Sequence, residues 1–152
     1  MGARGRRAAH RIRRVTVIAD TSALVAFYSE SGTQHDDVSA WLEAHGEVMV
    51  VSPYVVAELD YLVATRKGVD AELAVLAELA GGAYELAAMS AADIALAAEV
   101  IARYRDLGIG ITDASLVVLA ERYGTDTILT LDHRHFGALR SLTGEPLRIA
   151  PR

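Results

Sequence analysis

Cysteine is absent from this 152-residue chain. That excludes a disulfide frame and a thiolate zinc site, and it fits a reducing compartment. No uninterrupted apolar run approaches the ~20 residues of a membrane span. The N-terminus carries the charge of a signal peptide, but Asp20 cuts the apolar run too early for a good hydrophobic region. No internal repeat or low-complexity tract interrupts the chain. What is there is globular: 52% of the residues are hydrophobic, enough for a sizeable core in one domain.

Acid is missing from the first 19 residues, which hold 6 of the 15 basic ones: Arg4, Arg6, Arg7, Arg11, Arg13 and Arg14. The remaining 9 basic residues face all 20 acidic ones. Residues 1–14 are therefore read as a basic, disordered extension, and residues 15–152 as the folded domain. Two other readings stand beside this: an arm for nucleic acid, since clustered arginines attract phosphate, and a true translation start near Val15 or Val17.

Short apolar strands alternate with helical patterns. Val15–Ala19, Glu47–Ser52, "YELAAM", "DTILTLD" and a final edge strand "LRIA" read as strands. Ser22–Ser29 and Gln34–His45 read as helices. Another opens at Ser52 as N-cap with Pro53 in the first turn and stops at Gly68. "VDAELAVLAELAGG" is a helix closed by Gly81. Ser90 and Asp93 form a capping box for a helix to about Asp106. "GIGIT" is a turn, and the helix "DASLVVLAERYG" ends at Gly124. This order predicts an α/β fold with a mostly parallel sheet between helices, and ligands beyond the carboxyl ends of its strands.

Four acids stand beside core segments. Asp20 ends "VTVIAD" and Asp132 ends "TILTLD", both at strand ends. Glu58 lies within "PYVVAELDYLV", and Asp113 within "GITDASLVVLA". Burying an unpaired charge costs several kcal/mol, and few cations lie near them in sequence. A hard divalent ion, Mg²⁺ or Mn²⁺, is the economical partner. Such a cluster can activate water and stabilise an in-line displacement at phosphorus. Each acid also has a plain structural reading. Asp20 could cap the helix after it, Asp113 could serve a helix dipole, and Asp132 could shape a turn. Glu58 could sit on a solvated face.

"VIADTSALVAFY", "VVSPYVVAELDYLVATR", "GITDASLVVLAERYG" and "TILTLDHRHF" together resemble the PIN domain, and within it the VapC toxins of bacterial toxin–antitoxin pairs. The resemblance runs from about Val15 to Pro151. It implies a three-layer α/β/α sandwich and a cytoplasmic Mg²⁺- or Mn²⁺-dependent endoribonuclease. Asp20, Glu58, Asp113 and Asp132 would form its acidic metal pocket. Ser22 would be a supporting hydroxyl, and Thr112 a second beside Asp113. Similar toxins are homodimers neutralised by a VapB-type antitoxin whose C-terminal segment covers the active-site groove. Family targets include tRNA and the sarcin–ricin loop of 23S rRNA, and the stretch around Glu58 looks closest to the branch acting on that loop. Chains of this kind begin almost directly with the first strand, so the 14 preceding residues depart from the pattern.

Arg66, Lys67, Arg134, His135 and Arg140 are candidate RNA contacts, each with an ordinary surface charge as the alternative. His133 and His135 form an H-x-H pair without the further ligands of a zinc site, and read as a surface turn. Trp41 and Tyr61 read as packing residues, or as part of a dimer or antitoxin surface. Two rival functions remain. An Asp-nucleophile phosphatase would want a second Asp where Ser22 stands. A non-catalytic binding module would fit the loss of one of the acids, and none is lost.

Overall fold

A computed structural model describes residues 15–45 and 48–152. The basic extension and Glu47, the expected first residue of the second strand, lie outside the described residues. The domain assignment built on that extension is therefore not addressed by the fold.

The elements follow in order. Strand β1 (Thr16–Ala19) leads into helices α1 (Thr21–Phe27) and α2 (Thr33–His45), then β2 (Val48–Val51). Helices α3 (Pro53–Lys67) and α4 (Val69–Ala80) precede β3 (Tyr84–Leu86). Helices α5 (Ala91–Arg103) and α6 (Ile111–Arg122) precede β4 (Thr127–Leu129). A short α7 (His133–Ala138) and β5 (Arg148–Ala150) complete the chain. The five strands form one sheet in the order β3-β2-β1-β4-β5, with every pairing parallel.

The chain winds outward from β1 through β2 to β3, then returns to the other side of β1 for β4 and β5. The order reverses between β1 and β4, where an open parallel sheet presents a crevice at its carboxyl end. Asp20 follows β1 and Asp132 follows β4, so both acids stand at that reversal.

Alternation along the strands feeds two apolar layers. Val17 and Leu129 pack with Ala23, Ala26 and Val38, against Trp41 and Leu42 of α2. Ile18, Ile128 and Val50 face the other way, into a larger core built from α3, α4, α5 and α6. Burying each such Val, Leu or Ile contributes about 1.5–3 kcal/mol, and these side chains are fully buried. Trp41 packs in the smaller layer and stacks on His45, with ring centroids 4.3 Å apart. Tyr61 is instead exposed.

Local chemistry sets the boundaries. Ser52 accepts from the Tyr54 N–H and Pro53 opens α3. Gly68, at φ +89°, ends α3 and starts α4 at once, a backbone state other residues rarely adopt. The Ser90–Asp93 capping box is present, and Asp93 also pairs with Arg122. That guanidinium and the Ser90 bonds hold the Asp93 carboxyl down at about 2.

Several boundaries differ from expectation. Helix α5 ends at Arg103, and a separate 3-10 turn covers Arg105–Leu107. The strand expected over "YELAAM" stops at Leu86, because the chain turns toward the Ser90 cap. The strand expected to reach Asp132 stops at Leu129. There the backbone N–H groups of Leu131 and Asp132 donate to the hydroxyls of Ser22 and Thr130 rather than to a neighbouring strand. The expected turn at His133–His135 is the helix α7, capped by Asp132.

Candidate active site

Helix α3 lays Glu58, Leu62 and Arg66 along one wall of a cleft, since residues four apart share a helix face. Its start is tied to α6 by a directed chain of hydroxyls. The Ser52 hydroxyl donates to Ser115 Oγ at 2.8 Å, and Ser115 in turn donates to the Thr112 carbonyl at 2.6 Å. Both serines are fully buried, so this relay satisfies polar groups that water cannot reach. It also locks the first turn of α6, which carries Asp113.

Asp20 occupies the N-cap position of α1 but makes no side-chain cap bond. Its Oδ2 accepts instead from the Ser22 hydroxyl at 2.8 Å and the Thr130 hydroxyl at 2.8 Å. Asp20 is 6% exposed, so a simple capping role does not account for it. Thr21, beside it in the cleft wall, has a buried hydroxyl without a hydrogen-bond partner.

Asp132 does cap α7, its Oδ1 accepting from the His135 N–H at 3.0 Å. Its Oδ2 lies 2.9 Å from His135 Nδ1, and Asp113 Oδ2 lies 3.5 Å from the same nitrogen. Burial, reinforced by the negative charges of Asp20, Asp132 and Glu58, pushes the Asp113 carboxyl up to about 6, although His135 pulls it down. Acids from three other segments thus bear on Asp113 electrostatically.

The cleft has a volume of about 720 Å³. Its wall includes Asp20, Ser22, Glu58, Thr112, Asp113, Asp132, His135 and Arg66. Lys67 lies outside it, in a neighbouring apolar cavity of about 290 Å³ that shares Val25, Leu62 and Arg66 with the cleft, and its Nζ donates to the Tyr28 carbonyl at 3.2 Å. Arg134 and His133 are exposed and do not line the cleft. Positions two apart on a helix point to different faces, which separates His133 from His135. Arg140 is held at the loop before β5, its Nη1 donating to the Gly144 carbonyl. Sequence reasoning missed Gln34 in the cleft wall and the buried hydroxyl of Thr130 behind it. No local signal marks Thr130, because the carboxylate it meets is 110 positions away.

Among the described residues, no three acid or imidazole groups already stand as a finished metal cage. Mg²⁺ is usually held by one or two carboxylates together with water and substrate phosphates, rather than by an all-protein cage. An open cleft with four carboxylates on its walls, one of them raised to about 6 by burial and by the charges of the others, suits that mode. Asp20, Glu58, Asp113 and Asp132 are the cleft residues that could supply such carboxylates.

A family model described as the PIN domain matches residues 17–140. Ribonuclease VapC26 of Mycobacterium tuberculosis (strain ATCC 25618 / H37Rv) is 58% identical over 135 residues, covering 89% of this chain and 100% of that protein. Among solved structures, the sarcin–ricin loop cleaving toxin VapC20 of Mycobacterium tuberculosis superposes with a TM-score of 0.73 at 19% identity, covering 80% of this chain and 94% of that one. A toxin–antitoxin complex from Klebsiella pneumoniae gives a TM-score of 0.63 at 15% identity, covering 81% and 92%. The two structures share the fold described above.

Proposed function

From the premise that this chain belongs to the PIN-domain family, we propose that it is a metal-dependent endoribonuclease and the toxin of a toxin–antitoxin pair. The observation that carries this reading is the meeting of Asp20, Glu58, Asp113 and Asp132 in one cleft, from segments spread over more than a hundred residues. Mutual repulsion among carboxylates stabilises nothing by itself; a divalent cation turns it into binding.

Mg²⁺ or Mn²⁺ bound there supplies an acidified water and neutralises charge on the scissile phosphate. The chain does the rest. Asp20 is oriented by two hydroxyls that take up its Oδ2. Burial and the neighbouring acids raise the Asp113 carboxyl to about 6, so below that pH a proton would compete with a cation for it. Arg66 is the base placed in the cleft wall to meet an RNA phosphate. Thr112 contributes its backbone carbonyl to the serine relay, which supports Asp113 from behind.

The substrate is RNA, with the sarcin–ricin loop of 23S rRNA as the proposed target; the fold neighbour VapC20 is described as cleaving that loop. Cleavage of tRNA is the alternative within the family. The partner is a VapB-type antitoxin, in keeping with the Klebsiella complex, and the toxin is a cytoplasmic homodimer. No helix among the described residues is long and apolar enough to cross a membrane. A phosphatase with Asp20 as nucleophile is disfavoured, because that carboxylate is buried and spends one oxygen on two hydroxyls.

The test is RNA cleavage with Mn²⁺, with and without EDTA, comparing wild type with Asp20→Asn. Cleavage abolished by EDTA and by the substitution supports the proposal. Metal-independent cleavage, or full activity of the variant, overturns it. Sequencing RNA 5′ ends after brief expression then separates the rRNA loop from tRNA.

A further inference from the structure

We propose that Thr130 is the positioning residue that sets Asp20 and Asp132 relative to each other, an inference that rests on the nuclease reading above. Thr130 is fully buried and lies outside the four acids. Its hydroxyl donates to Asp20 Oδ2 at 2.8 Å and accepts from the Asp132 N–H at 2.9 Å. One oxygen therefore joins the ends of β1 and β4, the two strands on either side of the reversal in strand order.

Counting protons makes the arrangement specific. A threonine or serine hydroxyl has one proton to give. Thr130 and Ser22 both give theirs to Asp20 Oδ2, and both then accept from the backbone, Thr130 from Asp132 and Ser22 from Leu131. The 3.2 Å approach between the two hydroxyl oxygens consequently needs no hydrogen bond of its own. Both hydroxyls reach the same oxygen of Asp20, Oδ2, so the carboxylate is held by one edge.

A hydroxyl this deep could also serve only to satisfy the interior. The two roles separate in their consequences. A satisfying role is lost in proportion to stability, whichever substitution is made. A positioning role follows the hydroxyl and not the methyl group, and it reaches the cation, because partners behind a metal ligand tune the affinity of the ligand itself.

The test compares Thr130→Val, which keeps the shape and removes the hydroxyl, with Thr130→Ser, which keeps the hydroxyl. Three quantities are read on the full chain: Mn²⁺ affinity by calorimetry without RNA, kcat and KM for RNA cleavage, and the thermal midpoint. The valine variant is expected to lose roughly 10–100-fold in Mn²⁺ affinity and a similar factor in kcat, with KM little changed. The serine variant is expected to stay within about threefold of wild type, well below that range. Where the valine variant does not fold, Thr130→Cys, with a thiol that is a weak donor, carries the same expected loss. Wild-type Mn²⁺ affinity and kcat in the valine or cysteine variant overturns the proposal. So do equal losses in the valine and serine variants that track their midpoints. Asp20→Asn is the control: if it still cleaves RNA, the nuclease reading itself has failed, whereas an inert Asp20→Asn beside an unaffected Thr130→Val removes only the positioning role.

Discussion

The imidazole of His135 stands between two acids, its Nδ1 2.9 Å from Asp132 Oδ2 and 3.5 Å from Asp113 Oδ2. It is the group that draws the Asp113 carboxyl downward against burial and three like charges. His135→Gln removes that influence. Asp113 then keeps its proton to a higher pH, and the acid limb of the pH–rate profile moves upward. Cleavage rates from pH 5 to 8 at fixed Mn²⁺ check this; an unmoved limb excludes His135 as an electrostatic partner.

Asp113 also makes the metal-free protein sensitive to pH. Its carboxyl is raised to about 6 in the fold against an ordinary value near 4. Between those values the native state keeps a proton that the unfolded chain releases, so stability falls as pH rises through the window and levels off above it. The loss is on the order of 2 kcal/mol. Asp113→Asn abolishes the slope and raises the thermal midpoint of the EDTA-treated protein at pH 7. Thermal melts at pH 4 to 7 with EDTA read both effects, and a variant less stable than wild type at pH 7 contradicts them.

The serine relay between α3 and α6 predicts a stability effect with a functional echo. Ser115→Ala leaves the buried Ser52 hydroxyl and the Thr112 carbonyl without their partner. That costs about 1–3 kcal/mol and loosens the turn carrying Asp113. Denaturant unfolding gives the first quantity. Mn²⁺ affinity, expected to weaken, gives the second.

Arg66 and Arg134 separate a cleft base from a surface base. Arg66 lines the cleft and Arg134 does not. Arg66→Gln is expected to raise KM for RNA and lower the salt dependence of binding by about one phosphate contact. Arg134→Gln changes neither. Binding of RNA to the Asp20→Asn protein across a salt series measures this, and equal effects of the two substitutions contradict it.

Much of this was legible in the residues themselves. The β-branched runs before Asp20 and Asp132 announced buried parallel strands, and the Ser52-Pro53 pair and Gly68 announced the limits of α3. The acids drew notice because charge beside such apolar segments is costly. What escaped depended on distance across the fold. Thr130 read as one more β-branched strand residue, since nothing local reveals that its hydroxyl meets a carboxylate 110 positions away. Helix α7 escaped for a similar reason: six residues are too few for periodicity, and its start depends on the cap that Asp132 supplies. Lys67 and Arg134 are near the acids in sequence, but the helices that carry them hold them outside the cleft wall, and Arg140 lies beyond α7 in the loop before β5.

Four acids are proposed to share a divalent cation in one cleft. Anomalous diffraction at the manganese edge, from crystals soaked in Mn²⁺, tests it directly. A peak bounded by Asp20, Glu58, Asp113 and Asp132 is the predicted result. No peak in that cleft, in crystals of a protein that cleaves RNA with Mn²⁺, would contradict it.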